Sequence, residues 1–231
     1  MRTVIIHGQN HKGSTYHMGR IFAERIAGEQ EITEFFLPRD LNHFCMGCYA
    51  CISDESKCPY YEEKKSIMDA MEAAEVLVFT TPNYCMGPSA SMKALIDLFF
   101  DIWMTHKPRE WMFHKKAVVF STAAGAGIKP VMKMMRTALV NWGVPYIRTY
   151  GLSVQAMNWD MVADKKKERI INKLHKMATQ VTNKKNPKPG IQVRFWFWLM
   201  KGMHASGWDS DPSEKPYWEE RGWLTGTKPW A

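Results

Sequence analysis

No stretch of this sequence approaches the roughly 20 consecutive apolar residues that a membrane-spanning helix requires. Its first residues, from Met1 to Gly13, hold only a short apolar run before polar residues intervene, and no small-residue cleavage pattern follows. The expectation is therefore a soluble, cytoplasmic protein. Internal repeats are absent, which excludes solenoid and propeller architectures. A complete dinucleotide fingerprint is missing too. Gly125-Ala126-Gly127 begins one, but Pro130 stands where the third glycine belongs and no acidic residue closes the next strand. No side chain stands out as a general acid or base, so no catalytic residue is assigned.

What is present is a chain of 231 residues, 45% of them hydrophobic, enough for one sizeable core plus an appendage. Five apolar, β-rich runs stand out: Thr3 to His7, Ile32 to Leu37, Val76 to Thr81, Ala117 to Thr122, and Val144 to Val154. Several are almost continuously apolar, as parallel strands covered on both faces must be. Helical periodicity separates them. The stripes are Met18, Ile21, Phe22 and Ile26; Ile67, Met71 and Ala74; and Met92, Leu95, Ile96, Phe99 and Trp103. Two more follow, at Met135, Ala138, Leu139 and Trp142, and at Ile171, Leu174, Met177, Ala178 and Val181. Strict alternation of strand and helix predicts an α/β protein with a doubly wound five-stranded parallel sheet in the order 2-1-3-4-5. That order makes strands 1, 3 and 4 neighbours and puts the functional loops at their carboxyl ends.

Those three loops have suitable chemistry. After strand 1, Gly8-Gln9-Asn10-His11-Lys12-Gly13-Ser14-Thr15 leads into a helix, where backbone amides and the helix dipole favour an anion. Gln9, Ser14 and Thr15 add polar groups, and His11 and Lys12 add positive charge. An ordinary helix cap by Ser14 or Thr15 is the alternative. After strand 3, Pro82-Asn83-Tyr84-Cys85-Met86-Gly87 offers flat and polarisable surface to a planar ring, with Cys85 expected to pack rather than react. After strand 4, Thr122-Ala123-Ala124-Gly125-Ala126-Gly127 is small enough to leave room for a ligand and has amides to donate.

Four of the five cysteines, Cys45, Cys48, Cys51 and Cys58, form a C-x2-C-x2-C-x6-C run followed by Pro59. Such spacing is similar to a ferredoxin run with a longer last gap, making a [4Fe–4S] cluster the first candidate. Among inorganic centres zinc is the second candidate, and free or redox-active thiols without any centre are a stronger alternative than zinc. A disulfide framework is disfavoured in a cytoplasmic protein.

Taken together, Pro82-Asn83-Tyr84 leading to Lys93-Ala94-Leu95-Ile96-Asp97 and the cysteine run resemble the NADPH-dependent FMN reductase family of flavodoxin-like proteins. The resemblance lies close to that family's iron–sulfur flavoprotein branch and spans about residues 1 to 182. It implies a flavodoxin-like FMN-binding domain over residues 1–182, with FMN phosphate at Ser14 and Thr15 and the flavin ring against Pro82 to Gly87 and the loop after strand 4. It also implies NAD(P)H or a protein donor as reductant and a quinone, another flavin or a further small molecule as electron acceptor. Two departures stand out. The family opens its first loop with Gly-Ser-Pro-Arg, whereas Gln9, Asn10 and His11 follow Gly8 here, so a bidentate phosphate partner is lost. The acidic pair after the last cysteine appears only as Glu62-Glu63. A non-enzymatic flavodoxin-like electron carrier and a thiol or metal redox sensor are the alternative functions.

Residues 183–231 form a basic, proline-bearing linker and a tryptophan-rich extension. The apolar run from Ile191 to Met200 must be covered, by its own domain, as a lid over the flavin, or at a subunit interface, with a homodimer favoured and a membrane surface disfavoured. The net charge of +8 reads as solvated helix faces, and no nucleic-acid recognition motif accompanies it.

Overall fold

The computed structural model describes all residues from Met1 to Ala231. Five strands, β1 (Thr3–His7), β2 (Ile32–Phe36), β3 (Val76–Thr80), β4 (Lys116–Ala123) and β5 (Tyr146–Ser153), form one sheet in the order β2-β1-β3-β4-β5. Every pairing is parallel. The fold is thus the flavodoxin-like one expected from the alternation. β5 starts at Tyr146 rather than Val144, because Gly143 takes a left-handed turn (φ 92°) and the Val144 amide still donates to the Leu139 carbonyl of the preceding helix (3.0 Å).

Eight helices accompany the sheet: α1 (Ser14–Ile26), α2 (Ala50–Ser53), α3 (Tyr61–Ala73), α4 (Ala90–Leu98), α5 (Ile128–Asn141), α6 (Asp164–Asn183), α7 (Ile191–Ala205) and α8 (Glu214–Glu220). Strand side chains alternate between two cores, as the period of two demands. Val4, Ile6, Leu77, Phe79 and Val119 pack with α3, α4 and α5, while Ile5, Val76, Val78, Val118 and Phe120 pack with α1 and α6. Two stripe residues differ from expectation. On α6 the buried position is Ile170, and Ile171 lies half out. α4 stops at Leu98, so Trp103 reaches the core only after a short 3-10 turn at Phe100–Ile102.

The extension packs on the sheet domain through a third cluster. Val193, Phe197 and Met200 of α7, with Trp218 and Trp223, close over Met104, Phe113 and Val140. Polar contacts fix the register: the Trp218 indole N–H donates to the His106 carbonyl (2.8 Å) and the Tyr217 hydroxyl to the Pro108 carbonyl (2.6 Å). Glu214 is buried opposite His106 and accepts from the Ser210 amide (2.7 Å). Burial pushes its carboxyl up, but the His106 hydrogen bond and backbone amides outweigh this and leave it below the usual carboxylate range. That contribution to stability is present above the unfolded-state value and lost as pH falls through the folded one. The extension sits on the segment around Met104 and Phe113 and on the end of α5 at Val140, away from the three loops, so it is no lid over them.

Candidate functional site

The loops after β1, β3 and β4 meet at the carboxyl edge of the sheet, and identifiable bonds stitch them together. The Ser89 hydroxyl donates to the Gly8 carbonyl (2.7 Å), the Ser89 amide donates to the Thr81 hydroxyl (2.9 Å), and Ser89 also caps α4. Gly8 needs its bare backbone here, since a Cβ would lie 2.5 Å from the Ser89 hydroxyl oxygen and 3.1 Å from the Thr80 carbonyl. The Asn83 side-chain amide donates to the Ala126 carbonyl (2.6 Å) and its backbone N–H to the Thr122 carbonyl (2.9 Å), tying the second loop to the third. His11 Nε2 lies 3.4 Å from the Tyr84 hydroxyl, which joins the first loop to the second.

The start of α1 has the features that an anion site requires. Gly13 caps it without a side chain and its first turn carries no acidic residue. The Ser14 and Thr15 side chains are largely buried, and neither hydroxyl is paired within the protein. Free amides, free hydroxyls and the positive end of the helix dipole together suit a phosphate. Lys12 stands beside it, its ammonium 5.4 Å from the Tyr16 ring centre. Gln9 lies half-buried and has no side-chain hydrogen bond.

The second loop presents a strained turn. Tyr84 and Gly87 exchange backbone hydrogen bonds (3.0 and 2.9 Å), and both residues between them, Cys85 (φ 49°) and Met86 (φ 65°), are left-handed. A turn of that form ordinarily uses Asn and Gly. Side chains in this conformation cost about 1–2 kcal/mol each, so the turn is held by its surroundings and displays Tyr84 and Met86 to solvent. Cys85, expected to pack, is exposed for the same reason. Opposite, Gly127 (φ 96°) leaves the space that Asn83 and Met86 occupy. The Asn83 side-chain oxygen is buried without a partner, an acceptor available to a ligand's N–H. Thr122 and Ala123 are buried at the end of β4, while Ala124, Gly125 and Ala126 form an exposed rim.

Sequence reasoning did not single out His7 or Ser89. His7 ends β1 beneath the first loop and bridges Thr80 Oγ1 (2.9 Å) and Glu34 Oε2 (2.7 Å), with burial pulling its imidazole below the ordinary value despite that carboxylate. Its period-two position reads as one more core residue. Ser89 stands just before a helical stripe, and its bond to Gly8 depends on a residue 81 positions away.

The cysteines occupy the segment after β2. Cys45 and Cys48 are exposed on an irregular loop turned by left-handed Gly47 and Tyr49, Cys51 lies on α2, and Cys58 precedes α3. The thiols do not gather as tightly as a single zinc ion requires, with sulfurs about 3.8 Å apart. The one group of three such ligand atoms within 4.8 Å is His204, Asp209 and Glu214, already paired in the extension. Burial pushes the Cys51 thiol up to about 11, aided by the Asp101 carboxylate and partly offset by Lys64. At pH 8 its thiolate is then about a thousandth of the population, against about a quarter for an ordinary thiol. Iodoacetamide should therefore label Cys45, Cys48 and Cys85 well before Cys51. Peptide mass mapping checks this, and equal labelling of Cys51 would contradict the burial of its sulfur.

With this geometry in place, the comparison with known proteins is decisive. Residues 1–158 match the model of the NADPH-dependent FMN reductase family. The chain belongs to that family. An iron-sulfur flavoprotein of Methanocaldococcus jannaschii is 34% identical over 88 residues, covering 37% of this chain and 45% of that protein. The match therefore spans less than half of that curated relative. Among solved structures, the FMN-dependent NADH-azoreductase of Bacillus anthracis, in complex with FMN, superposes with a TM-score of 0.58 at 12% identity, covering 78% of this chain and 99% of that one. The Trp repressor binding protein of Bacillus subtilis gives 0.52 at 17% identity, covering 75% and 98%. These likenesses show the flavodoxin-like fold. No helix is long and apolar enough to cross a membrane.

Proposed function

We propose that this FMN reductase family member holds FMN across the three stitched loops and passes electrons from reduced nicotinamide to a small acceptor such as a quinone or a free flavin. The observation that carries this reading is the uncapped N-terminus of α1, with unpaired Ser14 and Thr15, on the same edge as the Tyr84–Gly87 turn. Ser14, Thr15 and the first amides of α1 would hold the phosphate, with Lys12 adding the charge that the missing arginine supplies elsewhere in the family. Tyr84, Met86 and the Asn83 side-chain oxygen would flank the ring, and the exposed rim at Ala124–Ala126 leaves a side open to donor and acceptor. When bound, FMN supplies the redox chemistry, taking up two electrons and releasing them singly or together. The protein's own work at this edge is binding and orientation.

Titrating FMN into flavin-free full-length protein tests the reading, followed by steady-state turnover with NADH or NADPH and a quinone. Saturable binding is expected, weakened by roughly a hundredfold or more by the Ser14→Ala/Thr15→Ala double substitution, since each hydroxyl's bond to a charged phosphate is worth at least about 1.5 kcal/mol. Absence of saturable FMN binding overturns the proposal. Binding without turnover identifies an electron carrier instead.

We further assign Cys45, Cys48, Cys51 and Cys58 to a [4Fe–4S] cluster. Their spacing supports it, and so does the iron–sulfur designation of the Methanocaldococcus relative. Loading must displace the proton that burial keeps on Cys51. Iron and acid-labile sulfide analysis of anaerobically purified protein decides it, and zinc or no metal would refute the assignment.

A further inference from the structure

Helix α7 is apolar on two opposite faces. Val193, Phe197 and Met200 point inward onto the third core cluster. Ile191, Phe195, Trp198 and Leu199, at i, i+4, i+7 and i+8, form a second stripe that faces water, with Ile191 85% and Phe195 58% exposed. Trp208, just beyond the helix, is 76% exposed. Nothing in the chain covers this stripe.

The stretch of chain that carries it is one-sided in charge. From residue 169 to residue 208 there are eight lysines and arginines and no aspartate or glutamate. The rest of the chain balances, 23 basic against 23 acidic, so this segment holds the entire net charge of +8. On α7 itself Arg194 and Lys201 stand two helical turns apart on one flank of the stripe, and the Lys201 ammonium lies 5.2 Å from the Trp198 ring centre. A long cationic side chain folded along an exposed aromatic ring places apolar stem and charged head as a bilayer boundary would.

Two occupants could cover the stripe. A second copy, related by a two-fold axis, would bring a basic flank against a basic flank with no acidic residue on either helix to offset it. An anionic lipid surface meets both halves of the pattern, apolar and aromatic side chains entering the acyl boundary while the cations remain among the headgroups. We propose that the outer face of α7, with the basic stretch leading into it, seats this protein on an anionic membrane surface. This is independent of the flavin reading.

Flotation of the full-length protein with vesicles of phosphatidylcholine alone, or mixed with phosphatidylglycerol, tests it. Binding is expected to the mixed vesicles and to fall at high salt. Each cation near such a surface contributes about a fivefold gain in partition, so Arg194→Glu/Lys201→Glu should reduce binding by about 25-fold or more. Phe195→Ser/Leu199→Ser should abolish most of it while the urea midpoint stays unchanged, because neither residue belongs to the core. Failure to bind mixed vesicles overturns the proposal, as does equal binding by both variants. A solution dimer that Phe195→Ser/Leu199→Ser splits would also overturn it, in favour of a second copy.

Discussion

Replacing Lys64 with methionine is expected to lower the unfolding free energy by about 3 kcal/mol at pH 7, the cost of leaving a buried charge without its partner. Lys64, on α3, is 0% exposed and donates to the Asp101 carboxylate, itself buried. Its ammonium also lies 5.9 Å from the Phe99 ring centre. After the substitution, the Asp101 carboxylate keeps only Arg109, at 3.8 Å, and that guanidinium is already engaged with Glu55. Removing both charges with Lys64→Met/Asp101→Leu should bring stability back to within about 1 kcal/mol of the parent, because a well-packed apolar pair escapes desolvation altogether. Urea unfolding of the three proteins measures this. A loss below about 1 kcal/mol in the single variant would mean that water reaches the pair. The charges act on Cys51. Losing the Lys64 ammonium removes a charge that favours the thiolate and leaves the Asp101 carboxylate that opposes it, so the single variant should alkylate more slowly at that thiol.

The second large effect concerns two glycines two residues apart. Gly127→Ala should weaken FMN binding by about a hundredfold, roughly 2.7 kcal/mol, while Gly125→Ala leaves it within a few-fold of the parent. A methyl at Gly127 would stand 2.4 Å from the Asn83 side-chain nitrogen and 2.7 Å from the Met86 sulfur, at a φ of 96°. Asn83 must then swing away, giving up the Ala126 carbonyl and the tie between the second and third loops. A methyl at Gly125 meets nothing within 4 Å. Equilibrium FMN titration distinguishes the two, with thermal unfolding as a control for the fold. Parent-like affinity in Gly127→Ala would remove the third loop from the binding site without touching the role of Ser14 and Thr15.

Much of this architecture is legible in the residues themselves. Alternating apolar runs and helical stripes suffice for the sheet order, because parallel strands leave so few ways to cover both faces. The same periodicity blurs at element ends. Ile170 and Ile171 are equally apolar, and which is buried depends on the pitch at which α6 settles on the sheet. Trp103 continues the α4 stripe in spacing, yet the chain has already tightened into a 3-10 turn.

The site is legible in part. Glycine and hydroxyl residues after β1, β3 and β4 mark its position. The Cys85 and Met86 backbone strain does not show, because neither residue favours φ > 0 and only the surrounding loops impose it. Lys64 escapes notice for a related reason, since a lysine within a helical stripe reads as solvated and its burial depends on Asp101, 37 residues away. The two faces of α7 are visible as an apolar run, but which face is covered emerges only with Phe113 and Trp218 in place.

The three loops are spread over more than a hundred residues of chain, brought together by the sheet and by the bonds that Ser89 and Asn83 make between them. The cradle needs β1, β3 and β4 assembled side by side, so an FMN molecule held there would act as a folding ligand for the sheet. At a free concentration a hundred times its dissociation constant it would add about 2.7 kcal/mol to global stability. Were FMN held there, its supply would set how long each molecule survives proteolysis, and the amount of folded protein would rise and fall with flavin availability.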